Sequence, residues 1–199
     1  MSTKAASARS RTAEEILDVA ETLIQTRAYS AFSYQDIADA LGIRKASIHY
    51  HFPSKTELGV AVINRYSERF RDGLNAIASD SEQSSMSMFD HYMQPYIEFA
   101  KTPDKICLCG ALAGEMMALP TVLRTRVDKF FKEHQLWLAD ILERGVERGE
   151  MAFSTKPSKM ARLIFGALQG ALIVKRTTGD VSQLKDVISV IKMQLSPAT

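Results

Sequence analysis

Cysteine is scarce: Cys107 and Cys109 are the only two in 199 residues. That number cannot staple a chain of this length, and a reducing cytosol suits it. No apolar run approaches the roughly 20 residues that cross a bilayer. The first residues, MSTKAASARSR, lack the apolar core of a signal peptide, so the expectation is a cytoplasmic protein with no membrane partner. Excess charge is missing too: the formal net charge is +2, and the chain beyond residue 71 is balanced. Strand-type alternation and internal repeats are also absent. The 46% apolar content is still enough to bury a core, and 24% charged residues is ordinary for a soluble domain.

What is present begins with Ser33–Lys55, SYQDIADALGIRKASIHYHFPSK. Ser33 is an N-cap with Asp36 three residues on, and Ile37, Ala38 and Leu41 follow at helical spacing. Gly42 stands where a helix ends on a left-handed residue, a conformation that costs glycine nothing. Arg44 to Tyr50 then form a short second helix crowded with hydrogen-bond donors. Pro53 stops it, and Ser54-Lys-Thr-Glu57 caps the next. Helix, glycine turn and donor-rich helix are the plan of a helix-turn-helix, whose second helix enters the DNA major groove.

The same run resembles the DNA-binding signature of the tetracycline-repressor (TetR) family of bacterial regulators. The matching parts are Ile37-Ala38, Leu41-Gly42-Ile43, Ala46-Ser47, Tyr50-His51-Phe52 and Ser54-Lys55. Two positions depart from the family pattern. His49 stands where a second aromatic is usual, and Arg44 stands where serine often begins the recognition helix. The helical patterns along the chain give an all-α protein of about nine helices. The resemblance implies its division into a three-helix head at 12–71, with the helix-turn-helix at 33–52, and an effector-binding and dimerisation body at 79–199. Residues 1–11, with Lys4, Arg9 and Arg11 and no acid, read as a basic flexible arm. The first helix is predicted to open at the Thr12–Glu15 capping box. The serine-rich stretch 79–87 reads as a linker.

For DNA contact the candidates are Arg44, Lys45, Ala46, Ser47 and His49 on the recognition helix. Lys45 has the reach to bond guanine N7 and O6, and Ala46 and Ser47 permit close approach to base edges. Motif matching adds Ser33, Tyr50, His51 and Lys55 as backbone contacts, which fix register without reading sequence. Ile48 and Phe52 read as core. His49 and His51 diverge by about 200° on a helix, so they do not clamp a metal, and no cofactor is implied.

The body offers helical patterns near 88–100, 104–118, 122–148, 159–175 and 181–195. Met160–Val174 is apolar nearly all round and Val181–Leu195 carries a second stripe; in the family these elements pair across a two-fold axis, which implies a homodimer. Tyr92, Tyr96, Phe99, Met116, Met117, Phe131 and Trp137 are candidates for walls around a small apolar effector. Thr102-Pro103-Asp104 reads as a helix start that would place Cys107 in a first turn, near Lys105, where a thiolate is stabilised. The stretch CLCGALAGE resembles the Gly-Cys-Leu segment of an electrophile-sensing, N-ethylmaleimide-responsive subgroup, with Ile106 replacing the glycine. Cys107 and Cys109 are therefore redox- or electrophile-sensor candidates, with plain core packing as the alternative.

The reading is a ligand-responsive, non-enzymatic transcriptional regulator, most simply a repressor on a pseudo-palindromic operator. Two other classes stay open at this point. One is a thiol-dependent enzyme with Cys107 or Cys109 oriented by His91 or His134. The other is a DNA-coating protein without sequence preference.

Overall fold

The computed structural model describes residues 2–78 and 83–197, with side chains from residue 11 onward. Among them stand nine α-helices and no strand: α1 (Ser2–Arg27), α2 (Tyr34–Leu41), α3 (Lys45–His51), α4 (Lys55–Ala78), α5 (Ser85–Lys101), α6 (Leu108–Gly114), α7 (Thr121–Glu147), α8 (Pro157–Thr178) and α9 (Ser182–Leu195). They divide into two compact units. One holds the chain up to Ser67 together with Leu108–Val127, and the other holds Glu68–Cys107 and the chain from Asp128 on. By packing, then, α6 and the start of α7 go with the N-terminal helices, although they fall within the body that the sequence sets at 79–199.

In the first unit, α1 presents Ile16, Ala20 and Ile24 to the interior at 0% exposure. It packs on α2, α3 and α6. Its start differs from expectation, because the helix runs from Ser2 and the Thr12–Glu15 box lies inside it. Ala5, Ala6, Ala8 and Arg9 are strong helix formers, and nothing between them and Thr12 breaks a helix. The stretch read as a flexible arm is thus drawn into α1. Glu14, Asp18 and Glu21 recur on one face of α1, and all three meet Arg65 of α4, at 2.9, 2.8 and 3.2 Å.

Around the helix-turn-helix the sequence signals hold. Ser33 and Asp36 close the capping box, and Gly42 ends α2 with φ of 63°. The Ser54–Glu57 box is also made, with the Glu57 N–H donating to the Ser54 hydroxyl at 3.2 Å and the Ser54 N–H to the Glu57 carboxylate at 3.3 Å.

In the second unit, α5, α8 and α9 pack on one another. The predicted linker is partly outside the described residues (79–82), and Ser85 already opens α5. α8 starts on Pro157 at its first position and ends on Gly179 with φ of 74°. Near that end Lys175 is fully buried. Its amine donates to the carbonyls of Phe99 (3.0 Å), Pro103 (2.8 Å) and Thr102. A cation among the last carbonyls of α5 complements that helix end. It also bears on the helix expected from Asp104, whose first turn is missing. With those carbonyls turned to the amine, Thr102–Asp104 forms a turn, and α6 begins only at Leu108.

Replacing Gly42 with alanine puts a Cβ on a left-handed residue in otherwise open space. The expected loss is about 1 kcal/mol of stability, read by urea unfolding, with no steric clash to add to it.

Candidate nucleic-acid interface

α3 has seven residues, KASIHYH, and none is acidic. Ile48 is its buried anchor at 0% exposure, which turns the remaining side chains outward. Arg44 precedes the helix as its N-cap residue in extended backbone. Arg44, Lys45, Ala46, His49 and Tyr50 are exposed, while Ser47 and His51 are half-buried. The bare N–H groups and the two cations therefore share one end of the helix, where a phosphate or a base acceptor is favoured.

Tyr34 fixes the other end. Its hydroxyl donates to the Phe52 carbonyl at 2.8 Å and its ring lies 4.7 Å from that of His49. Burial, aided by Tyr29 and Glu57, pushes the Tyr34 hydroxyl up to about 12. It stays a neutral donor at any physiological pH. Motif matching does not single out Tyr34, although an aromatic directly after the N-cap is a visible cue.

Two motif-matched residues are engaged inside the unit. The Ser33 hydroxyl donates to Asp36 at 2.7 Å and accepts from the Gln35 N–H at 3.2 Å, yet remains exposed. Lys55 donates to the Phe32 carbonyl, with its amine 4.7 and 4.4 Å from the centres of the Tyr29 and Phe32 rings. Burial lowers its pKa from the usual lysine value, opposed by the Glu115 and Asp36 carboxylates. In this state its amine ties the start of α4 to the end of the α1–α2 connection.

Residues 16–62 match the family model described as bacterial regulatory proteins, tetR family, and 87–191 match the tetracyclin repressor-like C-terminal domain. A TetR transcriptional regulator from Legionella pneumophila is 34% identical and superimposes with a TM-score of 0.84, covering 92% of this chain and 96% of that one. The chain belongs to the tetR family. It is a DNA-binding transcriptional regulator. Among curated proteins, the HTH-type transcriptional repressor DhaR of Mycobacterium sp. (strain GP1) is 24% identical over 96% of both chains. The repressor NemR of Escherichia coli (strain K12) is 22% identical over 91% of this chain and 92% of its own. The thiol-dependent enzyme and the DNA-coating protein gain no support from these relatives.

The TetR-type body of this chain gathers part of the predicted effector set. Tyr92 and Tyr96 are buried, with hydroxyls 3.3 Å apart. Trp137 stacks on Tyr92 at 5.4 Å, and Phe131 meets Phe165 at 5.0 Å. Phe99 is half-buried. Met116 and Met117 belong to the first unit, and Met117 is 90% exposed on the turn after α6, so it walls no chamber. The residue missing from the predicted set is His134. Its Nδ1 lies 3.1 Å from the Tyr92 hydroxyl, and its ring lies 4.1 Å from Phe130. Its place on the apolar face of α7 is the available clue. None of these lines the groove of about 210 Å³ between α5 and α9, where Ile97, Ala100, Leu184 and Ile188 meet Lys101 and Lys185.

Cys107 and Cys109 are 2% and 0% exposed. Cys107 directly precedes α6 and Cys109 lies in its first turn, so both stand at a helix N-terminus, that of the helix begun at Leu108 and not of one begun at Asp104.

Burial lowers the His134 pKa from 6.5 to about 4. A histidine held neutral in the fold opposes folding once the unfolded chain protonates, so its effect is nil above pH 6.5 and grows as pH falls towards 4. Across that window the expected loss is roughly 3 kcal/mol, at about 1.4 kcal/mol for each step of one in pH. Urea unfolding should show a steeper fall in acid for the wild type than for His134→Phe.

Proposed function

We propose that this regulator is a repressor that binds a pseudo-palindromic operator as a homodimer and is released by a small apolar or electrophilic effector. The observation that carries the DNA side is α3, a short acid-free helix pinned by Ile48 with Arg44 and Lys45 at its open end. On this reading Lys45, Ala46, Ser47 and His49 meet bases, and Ser33, Arg44, Tyr50 and His51 meet phosphates. Lys55 keeps one of its three N–H donors on the Phe32 carbonyl and has the others to offer a phosphate. The relatives named as repressors support the sign of the response. The head at 12–71 reads DNA, and the body at 79–199 receives the effector and the second subunit.

A dimer face is supported by what α8 leaves uncovered. Leu163 is 64% exposed, and Ile173 and Val174 are 46% and 41% exposed. With Gly166 and Gly170 they recur at helical spacing on one side. A Cβ at either glycine would meet nothing, so a second helix has room to approach closely. On α9, Val190 at 54% and Met193 at 68% extend the apolar surface. Exposure of this extent on neighbouring helices is characteristic of an interface.

The effector is placed in the second unit, at the Tyr92–Tyr96–His134–Trp137 cluster. Its aromatic faces suit an apolar body, and two hydroxyls and an imidazole supply the polar contacts that orient it. Electrophile sensing at Cys107 requires the buried thiol to become accessible, and it stands as the second way of release. No helix among the described residues is long and apolar enough to cross a membrane. An operator in bacterial DNA puts the site of action in the cytoplasm.

The test is fluorescence anisotropy with DNA from upstream of the protein's own gene. Lys45→Ala should weaken operator binding about tenfold or more and relax preference at one base position. Absence of preference for any palindromic site, even at low salt, would sink the reading. Leu163→Glu should convert the dimer to a monomer in light scattering and abolish operator binding with it. N-ethylmaleimide should weaken operator binding in the wild type but not in Cys107→Ser if the thiol is the sensor. An unchanged wild type leaves the aromatic cluster as the route.

A further inference from the structure

Between α1 and α2 the chain turns through Ala28, Tyr29 and Ser30. Ala28 has φ of 85°, and no other non-glycine residue among those described has a positive φ. A Cβ resists that conformation, so something must hold it. The Ala28 N–H itself donates to the Ile24 carbonyl at 3.1 Å, closing the end of α1. The two N–H groups that follow are held by Glu115, 86 residues away in sequence from Tyr29. The Tyr29 N–H donates to its Oε1 at 2.6 Å and the Ser30 N–H to its Oε2 at 2.9 Å. The Ser30 hydroxyl donates to Oε2 as well. Two successive backbone N–H groups aimed at one carboxylate form a small anion-binding concavity, occupied here by the protein's own side chain.

Glu115 is itself fixed. It follows α6 directly, its N–H donates to the Leu112 carbonyl at 3.1 Å, and its carbonyl accepts from the Ala118 N–H at 2.8 Å. From the turn, contacts continue to the recognition helix inside the first unit. The Tyr29 ring meets Phe32 edge-on at 6.1 Å. Lys55 bridges those two rings and takes the Phe32 carbonyl. Two residues on, Tyr34 holds Phe52 and His49 at the far end of α3.

We infer that Glu115 is a positioning residue for operator recognition. It keeps the α1–α2 turn in a conformation that alanine does not favour, and that turn sets α2 and α3 for base contact. The inference rests on the repressor reading and deepens it. Base reading becomes conditional on where the segment 115–118 sits. Phosphate attraction, which depends on Arg44 and Lys45 as charges, does not.

The experiment measures affinity for the operator duplex and for a scrambled duplex, at one salt concentration, in five proteins. They are the wild type, Glu115→Ala, Glu115→Gln, Ala28→Gly and the Ala28→Gly/Glu115→Ala double variant. Glu115→Ala is expected to lose at least tenfold in the operator-to-scrambled ratio, with scrambled affinity within twofold of wild type. Loss of folded protein alone would lower both affinities together and leave the ratio intact. Ala28→Gly is expected to match the wild type. In the double variant it should restore most of the ratio, because glycine adopts the turn without an anion to hold it. Should Glu115→Ala fail to fold, Glu115→Gln, which keeps one acceptor, carries the test with an expected threefold loss.

A ratio unchanged in the glutamate variants would overturn the inference, as would a double variant no better than Glu115→Ala. A wild type without operator preference would instead remove the repressor reading, and the inference with it.

Discussion

A helix of seven residues cannot hold itself together in water. Nucleating the first turn costs more than two turns of hydrogen bonds return, so α3 exists only through its neighbours. Ile48 supplies the apolar anchor, Tyr34 ties down the carbonyl at one end, and the left-handed Gly42 delivers the chain to the other. Each of these lies off the face that would meet DNA. The arrangement frees α3 from stabilising itself, and its outward positions are filled by chemistry useful to DNA recognition. A longer, self-sufficient helix would have needed some of them for intrahelical pairs.

The second unit solves a different problem, that of keeping polar atoms inside an apolar body. Tyr92, Tyr96 and His134 pair with one another, and Gln169 reaches the Tyr96 hydroxyl at 3.4 Å. Lys175 gathers three carbonyls. Buried groups partnered in this way specify one arrangement of the surrounding helices, because any shift leaves a donor or acceptor without a mate. A ligand that offers a hydroxyl or carbonyl to the tyrosines competes with those pairings directly. Such competition gives it differential affinity for two arrangements, which is the only means by which binding shifts a conformational equilibrium.

Much of the head is legible because its signals are local. Ser33 with Asp36, Gly42, and Ser54 with Glu57 each act within a few residues, and the structure places all of them as the sequence implies. The all-helical class follows from periodicity, and the helices of the body fall near their predicted positions. What stays hidden depends on partners far along the chain. The helix expected from Asp104 starts late, at Leu108, where a distant amine, on Lys175, takes the carbonyls of Thr102 and Pro103 before it. Met117 resembles its neighbours in composition, and only the tertiary fold reveals that it is 90% exposed. The early start of α1 is hidden for the opposite reason. A plausible local cap at Thr12 conceals a helix already under way.

The three carboxylates that α1 lays along Arg65 have one more consequence. Glu14, Asp18 and Glu21 occupy consecutive turns, so the guanidinium has a partner wherever it lies along nearly two turns of the helix. Loss of any one acid leaves two, and a small axial slip of α4 against α1 exchanges one bond for another without passing through an unpaired state. The joint is redundant to mutation and smooth to sliding. A single tightly fitted ion pair has neither quality.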